Sequence, residues 1–571
     1  MLKFLATIGR KPIPPLTNLH SITRWMEELP MGDAVETIEA VVKQIKEYCD
    51  QGLPTTKERL AVLTALDQGA QEALETLRDQ YLQNPRMSRM MESRLWNTVL
   101  VYYQEILRAY HGHLMEYIGN PTGSRIGPSI PLLTARAVNY FALDAKWSYY
   151  RYTQANPKLW KRLHNLYHFA EYEEFERQPL KLYAEGLETS VADLYLQALM
   201  LETLNTGSLA PRQLSLIERW LPMLIKDIHI DREFKPTQHT FYLDLNENRG
   251  AHRVRRVVPQ ENLRYWDTYG LKEKLDHLRD QLTAGALPVR LGLTEDCKLP
   301  TCLELLERIA YFWSPTGVKR VQRAFERKNA MQSIEVVRGL NDISLNVRAD
   351  NARVVSSVNT SGTGDISYAE MLDVRLYGFV TQRTQSSQGK DEKIEHVIAH
   401  ERWVMENESE GGYGANINDQ ADDWVRLGKL VGLKPEKKGH WNVGVIRRMR
   451  RISPHQQYVG IEVIAERPTA LLLRADKSEN RPLSIEGIDA VGFVMPIPTL
   501  YLKAAQADQP GNQVDSLILQ SAEYAKGREL WFNAKGFTYH IRLKQAVERG
   551  DDWLRASFDV LAKTAAKQPA P

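Results

Sequence analysis

The period of the apolar residues changes class at Ser314-Pro315-Thr316-Gly317, and that change limits the fold more than any other feature of the chain. From about Asn18 to Ala310 the texture is mainly helical. Between Ala34 and Tyr48, for example, Val35, Ile38, Val41, Val42, Ile45 and Tyr48 recur at three- and four-residue steps, which lines one helix face with apolar groups and leaves charge on the other. Similar segments run over Thr56–Tyr81, Ser88–Tyr117, Thr134–Thr153, Pro157–Phe175, Leu187–Leu204 and Pro211–Leu224, divided by breakers such as Gly119-Asn120-Pro121. A partly alternating run, Thr240–Leu245, reads as a strand, and helical spacing returns from Leu271 to Trp313. Beyond Gly317 the segments are short, β-branched or alternating: Ser333–Gly339, Glu401–Met405, Gly444–Ile452 and Val459–Ile464. Such strands build a small sheet or barrel. Between the first two lies a polar stretch, Asp350–Glu395, rich in Ser, Thr, Gly, Gln and Asn, which is expected to loop out. A last group, Glu529–Phe532, Tyr539–Leu543 and Trp553–Leu561, reads as further strands closing or extending the β region.

The expected fold class is therefore α+β multidomain: an N-terminal all-α bundle or array over 1–315, an antiparallel β-barrel over 316–470 with its insertion at about 345–395, and a β-rich C-terminal extension over 471–571. Composition narrows the function. With 43% hydrophobic and 25% charged residues the chain is an ordinary globular one, and a formal charge of +3 is too small for bulk attraction to polyanions, so any nucleotide site must be local. The start is too short in apolar residues for a signal peptide, and the apolar run Val491–Leu502 is broken by Pro496 and Pro498 and too short to span a bilayer. Cys49, Cys297 and Cys302 are too few for a disulfide framework, and the last two lack zinc-knuckle spacing. The cytoplasm is the expected location.

Two motifs stand beside strands of the β half. Arg323-Ala324-Phe325-Glu326-Arg327 places two arginines four apart just before a strand, and Asn407-Glu408-Ser409-Glu410-Gly411-Gly412 follows another. Guanidinium is always charged, binds phosphate as a fork, pairs with guanine O6 and N7 and stacks on bases. Asn407 and Ser409 are short polar groups able to reach guanine edges, while Gly411 and Gly412 are expected to turn with positive φ and leave room for a base. The sequence here resembles the PilZ family of small β-barrel receptors for cyclic di-GMP, whose signature is R-x-x-x-R followed by D/N-x-S-x-x-G. The likeness covers about Val318–Pro468 and includes strand-like runs at Arg426–Leu433, Trp441–Arg448 and Tyr458–Val463. It implies a bacterial cyclic di-GMP effector with ligand-binding residues Arg323, Arg327, Asn407, Ser409, Gly411 and Gly412, no cofactor beyond the ligand and no metal. Arg327 and Asn407 are much further apart than in compact members, so the polar insertion must loop out between their strands. Arg320 is an alternative basic residue, and Asp365-Ile366-Ser367 imitates the second motif but carries Glu370 where glycine is needed.

Other candidates carry less. His164 and His168 lie four apart on a helix but lack a metalloprotease glutamate, so they read as core or interface residues. Arg447-Arg448-Met449-Arg450-Arg451 reads as a solvated strand. No phosphate loop, nucleophile elbow or catalytic carboxylate pair is legible, which points away from an enzyme. The expectation is a non-enzymatic effector that relays ligand level to an unknown protein partner of the helical region through domain rearrangement. The alternatives are a degenerate barrel that binds proteins only, and a single-stranded nucleic-acid binder that uses Trp403, Trp441 and Tyr458 as stacking groups.

Overall fold

A computed structural model describes residues 18–29, 32–84, 87–123, 125–316, 328–355, 400–409, 411–418, 424–475, 496–504 and 514–565. The chain separates into two compact units that part near residue 323, with 450–452 counted to the first.

The first unit contains α1 (Leu19–Glu27), α2 (Ala34–Asp50), α3 (Lys57–Gln83), α4 (Arg89–Gly119), α5 (Ile130–Tyr150), α6 (Pro157–Tyr172), α7 (Val191–Glu202), α8 (Pro211–Leu224), α9 (Tyr269–Thr283) and α10 (Leu299–Trp313). Side-chain oxygens cap several starts, as when Asp33 accepts from the N–H groups of Val35 (2.9 Å) and Glu36 (3.2 Å). α5 is buried on every face and packs against α4, α6, α7 and α8. This half is not all-α: β1 (Leu180–Lys181) pairs with β2 (Glu188–Thr189), and β3 (Phe241–Asp244) is flanked by β4 (His252–Arg253) and β5 (Leu263–Trp266). A disulfide joins Cys297, just before α10, to Cys302 in its first turn, a local bridge that the cysteine count did not anticipate. Among the described residues no helix is long and apolar enough to cross a membrane.

Buried polar groups tie these helices together. Asp67 of α3, wholly shielded from solvent, accepts from Tyr102 (3.0 Å), Tyr110 (2.6 Å) and Tyr140, and pairs with Arg136 of α5 at 3.1 Å. Arg136 also donates to the Leu182 carbonyl at 2.7 and 2.9 Å. His164 is likewise a satisfied core residue: its Nδ1 meets the Tyr195 hydroxyl at 2.6 Å, its Nε2 meets the Arg249 carbonyl at 2.7 Å, and burial pushes the ring down to about 4. His168 is exposed, so the two do not form a ligand pair.

At the end of α7, burial pushes the Glu202 carboxyl up to about 7, against the opposing pull of the Ala251 backbone. A carboxyl raised in the folded state holds its proton longer there than in the unfolded chain, so its penalty grows as pH rises from the unfolded value through about 7. Glu202→Gln is therefore expected to gain on the order of 2 kcal/mol over the parent at pH 8 and little at pH 4. Urea unfolding at the two pH values checks this, and an equal effect at both would refute it.

The second unit holds two closed six-stranded barrels. The first is made of β6 (Lys328–Arg338), β7 (Glu401–Ser409), β8 (Gly412–Asn418), β9 (Leu430–Pro435), β10 (Asn442–Ser453) and β11 (Gln456–Glu466), in the spatial order β6-β7-β8-β11-β10-β9. Between β6 and β7 runs α11 (Gly339–Val355), so the polar insertion begins as a helix and not as a loop; residues 356–399, with the decoy at Asp365, lie outside the described residues. The C-terminal strands do not extend this barrel. They close a second one from β12 (Thr469–Ala475), β13 (Ile497–Leu502), β14 (Ser516–Gln520), β15 (Glu529–Ala534), β16 (Phe537–Arg549) and β17 (Trp553–Ala565), with an interior that includes Leu473, Leu517, Leu519, Leu530 and Leu554.

Candidate ligand face of the first barrel

A single bulge aims the Asn-Ser motif. Trp403 and Met405 of β7 point into the barrel, so strict alternation would turn Asn407 inward as well. The ladder instead matches Met405 to Ala415 and Asn407 to Gly414, two steps on β7 against one on β8. The extra residue, Glu406, resets the alternation, and Asn407 lands on the outer face opposite Gly414. Ser409 follows two residues later, opposite Gly412, and its Oγ donates to the Gly412 carbonyl at 3.3 Å.

Glycines keep this face flat. A Cβ on Gly414 would come within 2.3 Å of the Tyr458 hydroxyl and 2.7 Å of Asn407 Oδ1, so the Asn407 amide and the tyrosine tip lie over the bare backbone, 3.5 Å from each other. Gly414 in turn pairs with Gly460 of β11, and the Cβ of exposed Arg448 borders that second glycine. Beside them Asn416, opposite Tyr458, keeps a buried Oδ1 that accepts no hydrogen bond from a described residue. The arrangement is a shallow floor of backbone with an amide, a hydroxyl, an unsatisfied acceptor and the Cβ of an exposed arginine at its rim. Gly412 is glycine for a different reason than expected. It does not adopt positive φ; a Cβ there would stand 2.2 Å from the Ile461 carbonyl oxygen, so the close approach of β11 excludes a side chain. The carbonyl of Gly411 accepts from the Val463 N–H at 3.1 Å, which ties the hairpin to β11.

Arg323, Arg327 and Arg320 lie outside the described residues. The chain resumes at Lys328, which pairs with Glu408, and Asn329 pairs with Asn407. The start of β6 is thus a ladder partner of the motif strand although α11 and the polar stretch intervene in sequence. Sequence spacing did not single out Gly414, Asn416 or Gly460, and it named Tyr458 only as a stacking group; the strand registers bring all four beside Asn407.

One other expectation is corrected. Trp403, Trp441 and Tyr458 are 3%, 4% and 7% exposed, so they offer no open stacking platform for single strands. Arg447, Arg448 and Arg450 are exposed on strand β10 as expected, and Arg447 in addition bonds Glu462 at 2.7 Å and Glu548 of the second barrel.

Comparison with known families agrees with this architecture. Residues 20–236 match the family model described as the N-terminal domain of the cyclic-di-GMP receptor FimW, and residues 346–469 match the model of its middle PilZ domain. The second match begins inside α11 and ends at the first residue of β12. No curated protein matches the chain.

Proposed function

Since the chain belongs to the family of the cyclic-di-GMP receptor FimW, we propose that it binds cyclic di-GMP on the outer face of its first barrel and works as a non-enzymatic effector in the cytoplasm. Asn407 and Ser409 meet guanine edges, Gly411 and Gly412 shape the hairpin that carries them, and Gly414 leaves room for the Asn407 amide to lie across the face. Arg323 and Arg327 supply the phosphate and purine contacts, because guanidinium serves both. The observation that carries the proposal is the pairing of Lys328 with Glu408 and of Asn329 with Asn407, since it brings the chain just after Arg327 beside the Asn-Ser motif. Ligand binding orders the arginines and relays the second-messenger level to a protein partner of the helical region through domain rearrangement.

Calorimetric titration of cyclic di-GMP into the full chain tests this, with GTP and a short oligonucleotide as controls. Saturable binding is expected, with a loss of at least tenfold in Arg327→Ala and in Ser409→Ala. No heat at roughly 100 micromolar ligand, which corresponds to affinities weaker than most regulatory ones, would leave a protein-binding barrel. Binding of the oligonucleotide that falls steeply with salt would instead favour a nucleic-acid binder.

A further inference from the structure

The two barrels share one connectivity. Numbered within each barrel, the strands of both run in the order 1-2-3-6-5-4. Details repeat with it. Ahead of strand 4, Gly428 and Gly527 both take positive φ, and their N–H groups donate to strand 5 carbonyls, Ile446 and Leu543, at 2.8 Å each. A basic residue follows each, Lys429 and Arg528, and Gly439 and Gly536, both of positive φ and both preceded by lysine, turn strand 4 into strand 5.

The registers allow the outer faces of strands 2, 3 and 6 to be compared. In the first barrel one row across these strands is Asn407, Gly414 and Gly460; the matching row in the second is Leu500, Ile518 and Arg555. The neighbouring row, Ser409, Gly412 and Glu462, is matched by Leu502, Ser516 and Ser557. The places of Asn407, Ser409 and Gly414 have thus become apolar, while those of Gly412, Gly460 and Glu462 carry polar groups, and the described β13–β14 pairs run without the bulge that turns Asn407 outward. The apolar groups are covered: Leu500, Leu502, Ile518 and Trp553 share a buried cluster with Leu340, Ile343 and Val347 of α11, together with first-barrel residues such as Leu430 and Val445. Gln520, at the place of Asn416, donates to Asn341 at 3.3 Å.

We infer that the C-terminal barrel is a repeat of the first in which the ligand face has been converted into a docking face for a helix, α11 of the same chain. The second barrel takes no cyclic dinucleotide, and the part of that face on strands 2 and 3 is a protein-binding surface whose occupant, packed also on strand 1, is carried by the first barrel, since α11 continues directly from β6. The assignment of the first face rests on the proposed function; the docking of α11 does not.

Hydrogen exchange on the full chain, with and without cyclic di-GMP, tests both parts. Ile518→Asn, with Ile518→Ala as the milder variant, is expected to speed exchange across α11 at least tenfold while β14 and β17 keep their protection, because the barrel's own interior lies on the other side of those strands. Unchanged protection of α11 in both variants, or collapse of β14 and β17 together with α11 in Ile518→Ala, would overturn the docking face. Added ligand is expected to protect β7, β8 and β11 and not β14 or β17; protection of β14 or β17 would overturn the conversion. If the parent chain binds no cyclic di-GMP, the proposed function fails and the exchange of α11 alone decides the inference.

Discussion

Asp67→Ala is expected to cost the helical unit about 3–5 kcal/mol, a large part of the roughly 5–15 kcal/mol that holds a typical domain together. The carboxylate is the common acceptor for Tyr102, Tyr110 and Tyr140 and the counter-charge of Arg136, whose side chain is only 6% exposed. Removing it leaves a buried cation and several buried hydroxyls short of a partner at once, and each unsatisfied group costs its desolvation. Arg136→Met is expected to be milder, because the carboxylate would still accept from three tyrosines. Asp67→Asn should fall between them, keeping an acceptor and losing the charge. Urea unfolding of the three variants gives the order; a loss below about 1 kcal/mol for Asp67→Ala, the size of an ordinary surface hydrogen bond, would show that the cluster relaxes or admits water.

The second large effect separates two neighbouring glycines of β8. In Gly414→Ala the first atoms the new methyl meets are ends of side chains, the Tyr458 hydroxyl and the Asn407 amide, and not backbone, so the amide can swing away. The barrel should lose less than about 1 kcal/mol, as most substitutions do away from fixed packing, while cyclic di-GMP affinity drops at least tenfold, about 1.4 kcal/mol, because Asn407 is displaced from the floor. In Gly412→Ala the methyl meets the backbone carbonyl of Ile461, which cannot move without parting β8 from β11. That variant should lose roughly 1–3 kcal/mol of barrel stability, seen as a lower melting temperature with or without ligand. Parent-like affinity in Gly414→Ala, in a chain whose Ser409→Ala variant fails to bind, would remove Asn407 from the contact set and leave Ser409 in it.

The helical half was largely legible from the sequence because amphipathic periodicity is a local signal. The stripe of Val35, Ile38, Val41, Val42 and Ile45 is buried as the spacing requires. α11 escaped notice because Asn341, Asp342, Asn346, Arg348, Asp350 and Asn351 crowd it with polar residues, and Leu340, Ile343 and Val347 gain their meaning only from a barrel built by later sequence. β13 was hidden by Pro496 just before it and Pro498 within it. Pro498 cannot donate to the ladder, yet it sits opposite Leu472 in a regular register. Asn407 and Ser409 stood out by spacing, but which way they face is decided by the bulge at Glu406, and one unpaired residue leaves no mark in composition or period. The neighbours Gly414, Tyr458 and Gly460 come from ladder registers, which are long-range facts.

Because α11 and the stretch after it separate β6 from β7, the first strand of the first barrel leaves the ribosome long before its partners. β6 ends at Arg338, while its two ladder partners, β7 and β9, open at Glu401 and Leu430. During synthesis β6 must therefore wait with both backbone edges unpaired while the intervening chain is made, and the second barrel that seats α11 is made later still. Closure is non-local and correspondingly slow, and the waiting strand, with Ile334, Val336 and Val337 among its apolar residues, is exposed to mispairing until its partners are made.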